Sequence, residues 1–256
     1  MSKKLEILVS NDDGITAPGI RHLVSIMKKL GNVTVVAPDS PQSGMGHAVT
    51  ISQPVRLRES TIFKDVKSYE CSGTPTDCVK LAVDQILHRK PDLVVSGINH
   101  GSNASINILY SGTMSAAIEG AIEGIPSIGF SLESYAHDAD FTSALPFVEK
   151  ITKAYLGQDT AHKPVLNVNI PCPEDGKIKG IKVCRQADAK WEDNFAHRLD
   201  PQGRDYYWMV GQFKDHDRGE DSDLFALKNG YVSVVPVQFD LTAHRYIAQL
   251  KNFETL

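Results

Sequence analysis

The sequence predicts an α/β fold, a parallel sheet sandwiched by helices and followed by a C-terminal β-rich extension. Three observations predict it. Through the first 160 residues, short apolar runs alternate with segments of helical period. Several of those runs are apolar almost throughout, as strands covered on both faces must be. After about residue 160 strand signals predominate.

The elements follow in order. Residues 5–10 read as a buried strand. Residues 18–30 read as a helix, because Ile20, Leu23, Val24, Met27 and Leu30 recur at the helical period, Pro18 suits the first turn and Gly31 stops it. A second strand is expected at 33–37. Val49 and Ile51, then Val55 and Leu57, alternate with polar residues and suggest a half-buried antiparallel insertion. A helix over 76–88 presents Val79, Ala82, Val83, Ile86 and Leu87 on one face. A third core strand covers 92–96, a small-residue helix 113–123, a strand 128–130 and a helix 144–155. Beyond these, strands are expected at 165–170, 178–184, 206–210 and 231–237, and His244 starts a last helix. Between residues 187 and 223 the chain is polar and charged, yet it carries Trp191, Phe195, Tyr206, Tyr207 and Trp208. Such aromatics call either for a loop packed within the chain or for an arm docked on another subunit.

Composition narrows the class. The 256 residues can bury a core without disulfide or metal staples. A net charge of −4 argues against broad electrostatic binding to nucleic acid or an anionic membrane. No apolar run approaches the roughly 18 residues of a membrane span, and Met1-Ser2-Lys3-Lys4-Leu5 lacks the features of a signal peptide. The four cysteines, Cys71, Cys78, Cys172 and Cys184, form no C-x-x-C pair and read as reduced thiols of a cytoplasmic protein.

In an open parallel sheet, ligands bind at the carboxyl ends of the strands, so the residues after each core strand outline the site. After the first strand come Asn11-Asp12-Asp13-Gly14. The second is followed by Pro38-Asp39 and Gln42-Ser43-Gly44, and the third by Ser96-Gly97-Ile98-Asn99, then Gly101 and Asn103. Two adjacent carboxylates at the end of a buried strand are costly unless their charge is compensated. A hard divalent cation such as Mg2+, Mn2+ or Ca2+ is the natural compensation for carboxylate, hydroxyl and amide oxygens. The plainer alternative is that Asp12 or Asp13 caps the following turn. Ser43 and Asn99 on the same edge favour the cation. Tyr110-Ser111-Gly112-Thr113 opens the small-residue helix, whose free N–H groups suit phosphate, while Ser111 or Thr113 also suits a simple cap. Thr74 or Thr76 is expected to cap the earlier helix. Gly44-Met45-Gly46 begins like a dinucleotide fingerprint but has Val49 where the third glycine belongs. No P-loop or H-E-x-x-H is present, and His47 and His100 read as bystanders near the site.

Taken together, these motifs resemble the SurE (survival protein E) family. The resemblance rests on Ser10-Asn11-Asp12-Asp13-Gly14 with Ala17-Pro18-Gly19, Val36-Ala37-Pro38-Asp39 with Gln42-Ser43-Gly44, and Gly73-Thr74-Pro75-Thr76-Asp77-Cys78. It continues through Val95-Ser96-Gly97-Ile98-Asn99, Tyr110-Ser111-Gly112-Thr113 and Asp240-Leu241-Thr242-Ala243-His244. It implies one domain over 1–256, with a Rossmann-like core over about 1–160 and C-terminal strands with an oligomerisation arm over about 161–256. It further implies a cytoplasmic phosphohydrolase acting on nucleoside 5'- and 3'-monophosphates, with one divalent cation, Mg2+ or Mn2+, on Asp12, Asp13, Ser43 and Asn99. A homodimer or homotetramer is implied through the C-terminal arm, with no membrane and no stable nucleic-acid partner. The stretch from Ser102 to Leu109 departs from the family pattern, and Met45-Gly46-His47 is unusual.

On this reading Asp12 and Asp13 are the catalytic candidates, and Asn11, Gly44, Asn103, Ser111, Gly112 and Thr113 bind phosphate or substrate. A covalent aspartyl-phosphate phosphatase is disfavoured, because Asn11 stands where the nucleophile would be and an amide cannot do that work. A non-catalytic nucleotide sensor with the same pocket is the other alternative.

Overall fold

β1 (Leu5–Ser10) is the hub of a nine-stranded sheet. In this computed structural model residues 4–160, 162–173 and 176–256 are described; the tripeptide Met1-Ser2-Lys3, part of the signal-peptide reading, lies outside them. α1 (Pro18–Leu30) follows, with Pro18 in its first turn and Ile20, Leu23, Val24 and Met27 buried. Gly31 ends the helix as expected and also starts β2 (Gly31–Pro38) with no intervening turn. A Cβ on Gly31 would lie 2.4 Å from the Leu5 carbonyl oxygen, so only glycine permits this close approach.

The insertion differs from expectation. Val49 is 42% and Ile51 89% exposed, and only β3 (Leu57–Glu59) is a strand, antiparallel to β4 (Lys67–Cys71). The 48–50 segment is tied down by polar groups instead. Thr50 donates from its amide and hydroxyl to the Asp77 carboxylate at 3.1 and 2.5 Å, and Thr74 Oγ1 donates to the Ala48 carbonyl at 2.7 Å. α2 (Pro75–Leu81) opens with a reciprocal cap between Thr74 and Asp77 and runs into a π-helical turn at Ala82–Leu87.

β5 (Leu93–His100), α3 (Gly112–Ile122), β6 (Ser127–Leu132), α4 (Leu145–Leu156) and β7 (Val165–Ile170) complete the alternating half. β8 (Gly180–Val183) precedes a hairpin of β9 (Ala189–Leu199) and β10 (Asp205–Asp215). α5 (Asp223–Lys228), β11 (Tyr231–Val237) and α6 (His244–Leu250) end the chain.

The sheet order is β3-β4-β2-β1-β5-β6-β7-β11-β8. Strands β4 to β7 are parallel, whereas β11 is antiparallel to β7. Alternate side chains fill two cores. Ile7, Val9, Val35 and Val95 pack with residues of α1 and α4; Leu8, Val36 and Val94 pack with residues of α2 and α3. The β9–β10 hairpin forms a sheet of its own. β9 was not expected from the sequence, and the aromatics of this stretch divide: Trp191 packs on Phe213 within the chain, whereas Phe195, Tyr207 and Trp208 are 61%, 62% and 65% exposed. Among the described residues, no helix is long and apolar enough to cross a membrane.

Candidate active site

β1, β2 and β5 are parallel and adjacent, so their carboxyl ends open on one edge. A cavity of about 520 Å³ occupies that edge and is lined by Asp12, Asp13, Ser43, Gly44, Asn99, Asn103 and Ser111 among others. Far-separated segments are joined there by backbone bonds. The Gln42 amide donates to the Asp12 carbonyl at 2.8 Å, and the Gly46 amide donates to the Tyr110 carbonyl at 3.1 Å. These bonds hold the Ser43 loop between the end of β1 and the start of α3.

Asp12 is 5% exposed. Burial pushes its carboxyl up to about 6; the Thr113 hydroxyl bond opposes this, and the neighbouring charge of Asp13 adds to it. Thr113, fully buried, donates to Asp12 Oδ1 and lies 3.2 Å from Asn99 Oδ1. Asn99 Nδ2 donates to the Gly101 carbonyl at 2.8 Å, which turns Oδ1 toward Thr113. Burial also raises Asp13, against the pull of the His100 amide, which donates to Oδ2 at 3.1 Å. α3 closes tightly on Asp12, for a Cβ on Gly112 would sit 2.6 Å from the Asp12 Cβ.

These donors fit a hard divalent cation. Two carboxylates, a hydroxyl and an amide oxygen are all oxygen ligands, and the side-chain bond to the buried Asp12 carboxylate comes from the neutral Thr113 hydroxyl. Asp12, Asp13, Ser43 and Asn99 are the residues that would hold it.

The other expected residues divide into cavity wall and support. Asn11 does not line the cavity; it is fully buried, and Nδ2 donates to the Gly14 carbonyl at 2.9 Å, bracing the Asp12-Asp13 turn. Ser111 caps α3 by accepting from the Met114 amide at 3.0 Å while still lining the cavity. Asn103 Nδ2 donates to Ser131 Oγ at 2.9 Å, and its amide donates to Asn169 Oδ1 at 2.7 Å. His47 leaves the site and pairs with Glu119 at 2.8 Å. His100 stays at the rim, with its ring on the Ala136 carbonyl. Asn107, Tyr135, Trp191 and Asp193 also line the cavity, and sequence reasoning did not place them there.

The family model described as "Survival protein SurE" matches residues 7–193. The chain belongs to the SurE family. It is 62% identical over 253 residues to a Christiangramia forsetii protein named 5'-nucleotidase SurE, covering 98% of this chain and 97% of that one. The protein of the same name from Bacteroides thetaiotaomicron is 46% identical over 255 residues, covering 98% and 97%. The solved SurE structure from Aquifex aeolicus superposes with a TM-score of 0.83 at 41% identity, covering 97% of this chain and 99% of that one. The family relationship agrees with the mostly parallel, helix-flanked sheet and adds nothing that the strand-edge cavity contradicts.

Proposed function

We propose that this chain is a divalent-metal-dependent 5'-nucleotidase that releases phosphate from nucleoside 5'-monophosphates, and from 3'-monophosphates as well. One observation carries the proposal. Asp12, Asp13, Ser43 and Asn99 converge in one cavity of a chain whose relatives are named 5'-nucleotidase. Those four residues would hold one cation, Mg2+ or Mn2+, which would supply Lewis-acid compensation for the charge that develops on the phosphate.

The chain's own groups do the rest. The Gly44 amide, Ser111 and Asn103 hold the remaining phosphate oxygens at the mouth of α3, where the helix dipole favours an anion. Gly112 lets that helix end approach Asp12. Asn11 keeps the turn closed, and Thr113 sets the orientation of Asp12. Asp12 and Asp13 orient the attacking water, and its proton passes to one of these carboxylates. The leaving nucleoside oxygen is protonated from solvent. Asn11 is a buried amide at the position an aspartyl nucleophile would need, so water attacks directly.

Phosphate release from AMP, GMP and an aryl phosphate, with Mn2+ and with chelator, tests the reading. Asp12→Asn is expected to fold and to lose roughly 10²–10⁴ in turnover. Full turnover in that variant, or in the presence of chelator, refutes the mechanism. Binding of AMP without turnover would make the protein a nucleotide sensor.

The exposed hairpin and the wholly exposed α6 support a homodimer or homotetramer built through the C-terminal arm. A cytoplasmic location is proposed with it, supported by four thiols that stand unpaired, three of them buried.

A further inference from the structure

The cation end of the cavity accounts for the phosphate and leaves the opposite wall unexplained. That wall comes from a remote part of the chain. Trp191 and Asp193 of β9 and Met209 of β10 reach the same cavity as Asp12 and Asn99. The base of the hairpin is not loose. Asp223, fully buried, accepts from the Ser105 amide at 2.8 Å and from the Ala187 amide at 3.0 Å. Ser105 Oγ donates to the Ala187 carbonyl at 2.9 Å. The turn Ser105–Leu109 and the start of the hairpin are therefore one body.

Within that body Trp191 Nε1 donates to Asn107 Oδ1 at 2.8 Å, and the Trp191 ring packs on Phe213 with centroids 5.3 Å apart. Trp191 is 43% exposed and borders the cavity. An apolar ring gripped on its N–H and on one neighbour, and exposed in part at the cavity wall, suits a flat aromatic ligand. Asn107 lies in the turn Ser105–Leu109 that the Asp223 bonds tie to the hairpin. Tyr135, 73% exposed, stands at the same opening.

We infer that Trp191, positioned by Asn107, is a stacking platform for the nucleobase and selects base-bearing over base-free phosphomonoesters. This rests on the nucleotidase reading and names the residue that gives it substrate selectivity. Stacking on an aromatic side chain is worth enough to shift affinity about tenfold or more, and it tolerates any base. Trp191 is a binding residue; Asn107 is a positioning residue that acts through it.

The test compares AMP with ribose 5-phosphate in the full-length, Mn2+-loaded protein. Trp191→Ala is expected to lower kcat/KM for AMP about tenfold more than for ribose 5-phosphate, chiefly through KM. Trp191→Phe keeps a ring and restores most of the difference. Asn107→Ala shifts the ratio in the same direction and less far. Equal losses on both substrates, or an unchanged ratio, overturn the assignment. Wild-type turnover of AMP tests the nucleotidase reading separately. If it is absent, quenching of Trp fluorescence by AMP in a Trp208→Phe background still decides the stacking claim: quenching supports it, and no quenching at millimolar AMP ends it.

Discussion

Asp12 shows how one residue is made costly for a purpose. Its carboxyl, ordinarily near 3.8, is raised to about 6 by burial. Between those two pH values the folded metal-free chain keeps a proton on Asp12 that the unfolded chain has lost. Stability therefore falls as the pH rises through this window and is level above it. The difference between wild type and Asp12→Asn, followed by urea denaturation without metal, should change by on the order of 3 kcal/mol from pH 4 to pH 7, with the variant the more stable at pH 7. Manganese should reverse that order, because a ligand that binds only the folded wild type stabilises it by mass action. No pH-dependent difference between the two proteins would remove the claim that Asp12 is uncompensated. Gly112 makes the complementary point through space. With 2.6 Å between its ideal Cβ position and the Asp12 Cβ, Gly112→Ala must push α3 off the carboxylate. A loss of roughly 1–3 kcal/mol of stability and a weaker Mn2+ midpoint are expected, read by thermal melts with and without metal.

At the scale of elements, the reciprocal cap of α2 serves two segments at once. Thr74 Oγ1 accepts from the Asp77 amide at 3.1 Å and donates to the Ala48 carbonyl, so it binds the insertion to the helix. Burial would raise the Asp77 carboxyl, but the hydrogen bonds from Thr50 and Thr74 outweigh it and leave it lowered. Thr74→Ala should cost about 1–2 kcal/mol in urea, and limited proteolysis should cut first between residues 48 and 56. The elements also show what the sequence can and cannot tell. β1, α1, β7 and β11 fall where their apolar period places them, because both faces of those strands, or one stripe of that helix, are buried. β4 has only Ser68 and Cys71 fully buried, and its Lys, Ser and Glu conceal a strand that pairs along its whole length with β2. Both strands of the hairpin face solvent, so no burial pattern marks β9. The site divides in the same way. Asp12 and Ser43 follow strands, and Asn99 lies in the last stretch of β5, which runs to His100 rather than ending at 96; all three lie near strand ends, which can be counted from the sequence. Trp191 reaches the cavity through the Asp223 linkage, a contact across 118 residues between Ser105 and Asp223 that no local pattern records.

For the whole molecule, the sheet is finished on its core side and unfinished beyond it. Trp208 and Met209 are 65% and 67% exposed on the hairpin, and α6 has no buried residue. Exposed apolar surface of this kind marks an interaction site. Light scattering at micromolar concentration is expected to give two or four chains per particle, and Trp208→Glu should lower that number while leaving the far-UV spectrum unchanged. A monomeric wild type would leave the arm without a partner.

One junction has a longer reach than its size suggests. Because Gly31 both ends α1 and begins β2, that crossover has no slack. Adding one residue at the seam would spin the helix by about 100°, swing Leu23 and Met27 toward water, and drag the Ser43 side of the crevice out of step with Asp12. This corner therefore acts as a ruler for the distance between the two sides of the strand-edge cavity.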